Sequence, residues 1–341
     1  PQALARLGTS SINVFVVVVV SCCTEQLSGY CVFVLQKDSA QAVTIAVSSR
    51  AIFDLEEEHE LFLAEGMGNY TSHQIAHENE PLAEGTALPF IRVSAPKAMV
   101  NEKLLENNPE EKQLFDIILV SNNNAQSGLR IINSIKHYGL HITRFCFLNG
   151  IDPSKYLQSY NVKLFLSANE SAVCSALKRG IPAALVIQQD VQTAAEQLRV
   201  VFDGDCVLFS DESENVYREK GLDEVIKYEK DREHIPIGEG PLKAFAMILG
   251  NMKKKFPREK DPICTYLLTS RSGRDMGVRA IKTLRDWGLE VDQAFFLDGA
   301  PKDPILAQIR PHIFFDDSTH HIRGALASGT PAGYIPPCDK S

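Results

Sequence analysis

The sequence predicts an α/β protein built from two parallel-sheet modules, each interrupted by a mainly helical insert. The 341-residue chain repeats itself at a fixed offset. Each copy alternates short apolar strands with amphipathic helices, the pattern of a parallel sheet covered by helices on both faces. Each copy also opens with a strand that stands apart from the rest, separated by roughly sixty charged, mostly helical residues.

The repeat is read by comparing SGLRIINSIKHYGL at 127–140 with MGVRAIKTLRDWGL at 276–289. Gly128 meets Gly277, Arg130 meets Arg279, and Gly139-Leu140 meets Gly288-Leu289, an offset of 149 residues (277 − 128). The same offset lays FLNG at 147–150 on FLDG at 296–299, and GIPA at 180–183 on GTPA at 329–332. A repeat of this length implies that the two copies share one fold.

The elements follow in order. A strand is expected at 43–49, then the insert, then a strand at 116–120. A helix with Leu129, Ile132 and Ile135 on one face stops at Gly139. Strands at 144–148 and 163–166 follow, then a short helix ending at Gly180. The second copy gives strands at 198–205, 265–268, 293–297 and 312–315. Its helix carries Val278, Ile281 and Leu284 and stops at Gly288, and its last helix ends at Gly329. The boundary is expected near 188–197, dividing a first domain at 43–190 from a second at 197–336, with the second insert at about 211–262.

Composition narrows the partners. The net charge is −8 and the longest basic run is Lys253-Lys254-Lys255, which disfavours nucleic acid. Eight cysteines are scattered without a CxxC pair, as in reduced, cytoplasmic proteins. The apolar run at 14–20 is shorter than the ~20 residues a membrane span needs, so no membrane is expected. The chain begins with Pro, consistent with an end that is not the native start, and 1–42 is left unassigned. Oligomeric state is open, a homo-oligomer included.

In the second copy, polar residues collect where strands end. Asp203 and Asp205 close the first strand, Thr269 and Ser270 the second, and Asp316 and Asp317 the last; Lys302 lies in a loop between. Parallel strands would turn all of them toward one crevice. A carboxylate there can attack phosphorus, and a second can protonate the leaving alkoxide and then activate water. Mg²⁺ takes few carboxylates plus phosphate oxygen and water, and suits Asp203 with Asp316. A lysine and a hydroxyl would hold the remaining phosphate oxygens. Each piece alone has a blander reading. An Asp-x-Asp is usually a turn, Thr269-Ser270 and Asp316-Asp317 would cap helices, and Lys302 would be a surface lysine. His320-His321 hints at a transition metal, but the other groups are oxygen donors suited to Mg²⁺.

The ordered set Asp-x-Asp, Thr/Ser, Lys, Asp-Asp resembles the haloacid dehalogenase superfamily. The segments VTIAVSSRAIFDL, FDGDCVLFSDESE, GPLKAFA, GAPKDPIL and RPHIFFDD are closer still to the cytosolic 5′-nucleotidase I family. That resemblance covers most of 43–336 and implies two Rossmann-like modules of the haloacid dehalogenase type, with the inserts as caps. It implies a Mg²⁺-dependent phosphatase of nucleoside monophosphates, favouring AMP, with an ADP-type effector in some members. It implies Asp203 as nucleophile, Asp205 as acid and base, Thr269 and Lys302 on the phosphate, and Ser270 and Arg271 as further substrate contacts. The implied metal set is Asp203, Asp205, Asp316 and Asp317. The family's TARS reads TSRS here and its APKGP reads APKDP, which sets Asp303 beside Lys302.

The first copy has lost this chemistry. Ser48 and Arg50 stand where the paired aspartates would be, at an offset of 155 (203 − 48). Ser167 and Ala168 replace the Asp-Asp pair and Pro153 replaces Lys302. This half is expected to be catalytically silent, with Asn122 and Asn123 its most ligand-like residues. Two rival functions stand beside the nucleotidase: a phosphatase of another small ester, and a nucleotide-binding regulator with little turnover.

Overall fold

The computed structural model describes residues 41–94, 99–189 and 197–337. The apolar run at 14–20 and most of the expected boundary lie outside them. The described residues form a mixed α/β body around one large, mainly parallel sheet.

In the first half the strands are β1 (Val43–Ser48), the two-residue β2 (Phe53–Asp54) and β3 (Ala83–Glu84), β4 (Phe115–Ser121), β5 (Arg144–Phe147), β6 (Val162–Ser167) and β7 (Ala183–Val186). In the second they are β8 (Leu198–Phe202), β9 (Ile263–Thr269), β10 (Gln293–Phe296), β11 (Ile313–Asp316) and β12 (Ala332–Tyr334). β2 and β3 pair only with each other. The other ten form a single sheet in the order β10-β9-β8-β11-β12-β7-β6-β1-β4-β5. Each half has the same strand order, and every pairing within a half is parallel. The halves meet where β12 pairs antiparallel with β7.

That join differs from two free-standing sheets. The sequence reading stopped at Gly180 and Gly329 and missed β7 and β12. Both are short, four and three residues, and AALV and AGY carry no alternation to mark them. The consequence is geometric. Parallel strands present their carboxyl ends along one edge, so an antiparallel join points the two halves' carboxyl edges in opposite directions.

The strands read as apolar runs because both faces are covered. In β1, Ile45 and Val47 enter one core while Ala46 enters another, as side-chain alternation requires. The first core is continuous through both halves and lies under the inserts. Helix Leu88–Ser94 of the first insert reaches β8, and helix Lys243–Lys253 of the second reaches β6, so each insert packs against the other half. Two separate cores fill the opposite face.

The duplication extends to backbone conformation. Asn149 and Asp298 both have positive φ, 50° and 51°, as do Asn161 and Arg310, 54° and 50°. In the inserts, Gly66 (φ 78°, ψ 179°) breaks helix Glu56–Ala76, while Gly221 (φ 82°, ψ −176°) separates helices Glu212–Lys220 and Leu222–Asp231. Among the described residues every positive-φ position has such a counterpart except Cys206 (φ 60°). No helix among them is long and apolar enough to cross a membrane.

Candidate active site

The carboxyl edge of the second half gathers the polar residues. The Asp203 amide donates to the Phe315 carbonyl at 2.9 Å, tying the turn after β8 to β11. The chain then bends sharply, with Cys206 in the left-handed region. Gly204 allows a close approach in this bend: a Cβ there would lie 3.0 Å from Thr269 Oγ1 and 3.3 Å from Thr269 Cβ. The close approach sets the Thr269 hydroxyl against the Asp203–Asp205 loop. Thr269 is buried, and its Oγ1 accepts the Arg271 amide at 3.2 Å. Ser270 is half-buried beside it.

Asp203, Asp316 and Asp317 each bring a carboxylate oxygen within 4.8 Å of the others. Lys302, just before helix Asp303–Ile309, is buried with its ammonium between two of them, 2.6 Å from Asp203 Oδ1 and 2.7 Å from Asp316 Oδ2. Its contacts are with these carboxylates rather than with neighbouring Asp303. His321 Nδ1 lies 3.2 Å from Asp316. One lysine does not balance three acids. Burial, with Asp316 and Asp317 adding repulsion, raises the Asp203 carboxyl well above its usual range despite Lys302. Burial and Asp316 push Asp317 up to about 6. Asp316 goes the other way: burial opposes its charge, but His321 and Lys302 overcome it and lower its pKa. An all-oxygen triad short of positive charge fits a hard divalent cation.

Asp205 stands apart from this triad. Both its oxygens are held by Arg271, Nε to Oδ2 at 2.8 Å and Nη2 to Oδ1 at 2.7 Å. Of the four carboxylates expected around a metal, the side chains of Asp203, Asp316 and Asp317 converge, while that of Asp205 pairs with Arg271. Arg271, expected as a substrate contact, makes its hydrogen bonds within the protein. It is buried among Asp205, Glu229 (2.7 Å) and Ser213 (2.9 Å), which ties the core to both insert helices. Arg279 reaches the same Glu229 at 3.2 Å and Glu212 at 2.6 Å. Sequence reasoning missed Glu229, because helix Leu222–Asp231 is dense in charge and nothing singles out this carboxylate as fully buried.

The 5′-nucleotidase family model matches residues 35–340. The chain belongs to the 5′-nucleotidase family. It is similar to human cytosolic 5′-nucleotidase 1B, 46% identical over 299 residues, which is 86% of this chain and 48% of that protein. The chain thus spans about half the length of this curated relative. No solved structure matches it.

Within this 5′-nucleotidase-family chain, Asn122 and Asn123 are not brought to the carboxylate triad. They follow β4, at the opposite edge of the sheet, and β1 and β8 are five strand spacings apart, about 24 Å. They line a cavity of about 230 Å³ together with Ser48, Arg50, Pro153 and Ser167. Arg50, at the position of Asp205, pairs with Glu56 at 2.8 Å. Ser48, at the position of Asp203, accepts the Ala168 amide at 3.2 Å. Among the described residues, no carboxylate lines the cavity.

Proposed function

We propose that this chain hydrolyses nucleoside 5′-monophosphates, AMP above all, to nucleoside and phosphate. The observation that carries the reading is the convergence of the strand-end carboxylates Asp203, Asp316 and Asp317 on Lys302, in a chain of this family. The relative's name, a cytosolic 5′-nucleotidase, supports the substrate class and a cytoplasmic location. An ADP-type effector belongs to the same reading. Each five-stranded half is taken as a haloacid dehalogenase-type module, 43–190 and 197–336, with about 211–262 as the cap of the active half.

In this mechanism an Asp203 oxygen attacks phosphorus and the ester P–O bond breaks, leaving phosphate on Asp203. Asp205 gives its proton to the departing 5′ oxygen, then takes one from a water that attacks the phosphoryl group. Phosphate leaves and Asp203 is restored. Lys302 and Thr269 hold the equatorial oxygens, where charge accumulates, with Ser270 as a further contact. Arg271 orients Asp205, whose carboxylate must turn from the guanidinium to reach substrate. Asp203, Asp316 and Asp317 would hold Mg²⁺, which supplies charge neutralisation for a carboxylate meeting a phosphate dianion. Asp205 contributes no side-chain ligand in this arrangement.

The test is phosphate release from AMP with Mg²⁺, comparing wild type with Asp203→Asn. A loss of at least about 10³-fold is expected. Equal rates would overturn the mechanism. Faster release from a sugar phosphate than from any nucleotide would overturn the substrate class.

A further inference from the structure

The cavity of the first half lies where a parallel sheet binds ligands, at the carboxyl ends of β1, β4 and β6, and it has no part in the triad's chemistry. Its walls differ from the active half in charge. Ser48, Pro153, Ser167 and Ala168 stand where Asp203, Lys302, Asp316 and Asp317 stand in the other copy. Among the described residues lining it, the one fixed cation, Arg50, is neutralised by Glu56. Burial, with Arg50 adding to it, pushes the neighbouring His59 below its ordinary value. Burial pushes Tyr70 up. Both are therefore uncharged at neutral pH. Among the described residues, a phosphate dianion would find neither a metal site nor a free cation here.

What the cavity does offer is flat apolar surface and hydrogen-bonding amides. His59 and Phe62 stack, ring centres 6.4 Å apart, and Tyr70 meets Phe62 edge-on at 6.0 Å. All three come from the helix that Gly66 breaks, and Met67 follows the break into the lining. Tyr70 donates to Asn123 Oδ1 at 2.9 Å, which fixes the amide and turns its nitrogen into the available donor. Asn123 Nδ2 and Arg50 Nε are buried donors without an acceptor among the described residues. Buried donors without partners are rare in native proteins, so each wants an acceptor. The volume, about 230 Å³, sits near the lower end of small-molecule pockets (about 300 Å³ and up), and so holds one compact molecule.

We propose that this cavity is a second, non-catalytic site for an uncharged nucleoside, its base against Phe62, Tyr70 and Met67 and its acceptors on Asn123 and Arg50. Aromatic walls, neutral amides and the absence of charge compensation select a planar, acceptor-rich and unphosphorylated ligand. The site is independent of turnover, because its edge of the sheet faces away from the triad.

Methyl-labelled methionine NMR tests this with adenosine as probe. Met67 is assigned through Met67→Leu. Its methyl signal should shift saturably with adenosine, in wild type and in Asp203→Asn alike. In Asn123→Leu the apparent affinity should fall at least about tenfold, with the folded spectrum kept. If Asn123→Leu fails to fold, Phe62→Leu serves the same purpose and should weaken binding similarly. An unmoved Met67 signal at millimolar adenosine would overturn the proposal. So would tighter binding of ADP than of adenosine at Met67, since that would require a phosphate site the cavity lacks.

Discussion

Replacing Glu229 tests whether the insert is locked to the core by one buried carboxylate. Glu229 is fully buried and shared by two guanidinium groups, Arg271 at 2.7 Å and Arg279 at 3.2 Å, with Ser213 donating as well. Glu229→Ala leaves N–H donors of both buried arginines without their acceptor. Breaking a buried pair from one side costs about 3–5 kcal/mol. Arg271 keeps Asp205 and Arg279 keeps Glu212, which argues for the lower part of that range. Glu229→Gln keeps an acceptor and loses the charge, so about 1–3 kcal/mol is expected. The first half has already made this exchange: Gln74, at the matching insert position, offers Oε1 to Arg130 at 3.4 Å. Urea unfolding, read as the shift in midpoint at constant slope, measures both variants. If Glu229→Ala lies within about 1 kcal/mol of wild type, the buried network does not hold the insert in place. An alanine variant no less stable than the glutamine variant would refute the argument that the two arginines need an acceptor there.

Other perturbations reach the site or the core separately. Lys302→Met should lower phosphate release from AMP by about 10²–10³-fold, since the ammonium between Asp203 and Asp316 is lost; stopped-flow phosphate detection reads it. Gly204→Ala should push Thr269 away and cut turnover about 10–100-fold while costing only about 1 kcal/mol of stability, measured in the same two assays. A chelator should abolish phosphate release, and adding Mg²⁺ back should restore it; unchanged release in chelator would remove the metal from the mechanism. His312 gives a pH signature away from the triad. Burial, and then Arg199, push its pKa from 6.5 to about 4, and its Nδ1 accepts the Arg199 amide. Above pH 6.5 its contribution is complete. As pH falls toward 4 the unfolded chain binds a proton that the folded one refuses, so up to about 3 kcal/mol is lost. His312→Asn, which keeps an acceptor, should flatten that part of the stability–pH curve.

The fold was legible wherever a repeat and an apolar run coincided. The expected strands at 116–120 and 265–268 fall inside β4 and β9, and Gly139 and Gly288 end their helices with matched positive φ. The short β7 and β12 were not legible, and with them went the antiparallel join. Which edge of a module finds a partner depends on the three-dimensional fit of two surfaces, and no periodicity encodes it. At the candidate site, the strand-end residues could be read because each stands where an apolar run stops. The destination of Asp205 could not be read. Its partner Arg271 lies 66 residues away, and only packing shows that Arg271 is buried and turned toward the insert.

The two halves diverge at the turn after their first strands, and the backbone records it. Cys206 holds a left-handed conformation in the second half, while the matching Ala51 lies in the short helix Ser49–Ile52. A non-glycine residue in that region costs about 1–2 kcal/mol and persists only where its surroundings impose it. Here the bend follows the residues proposed to do the chemistry, with Gly204 against Thr269 and Asp205 on Arg271. The copy without those carboxylates relaxes to a helical turn and closes Arg50 onto Glu56. Strain present in one copy and absent from its duplicate separates what the fold requires from what the site requires. The strand order, the insert break and the paired turns belong to the first. The bend at Cys206 belongs to the second.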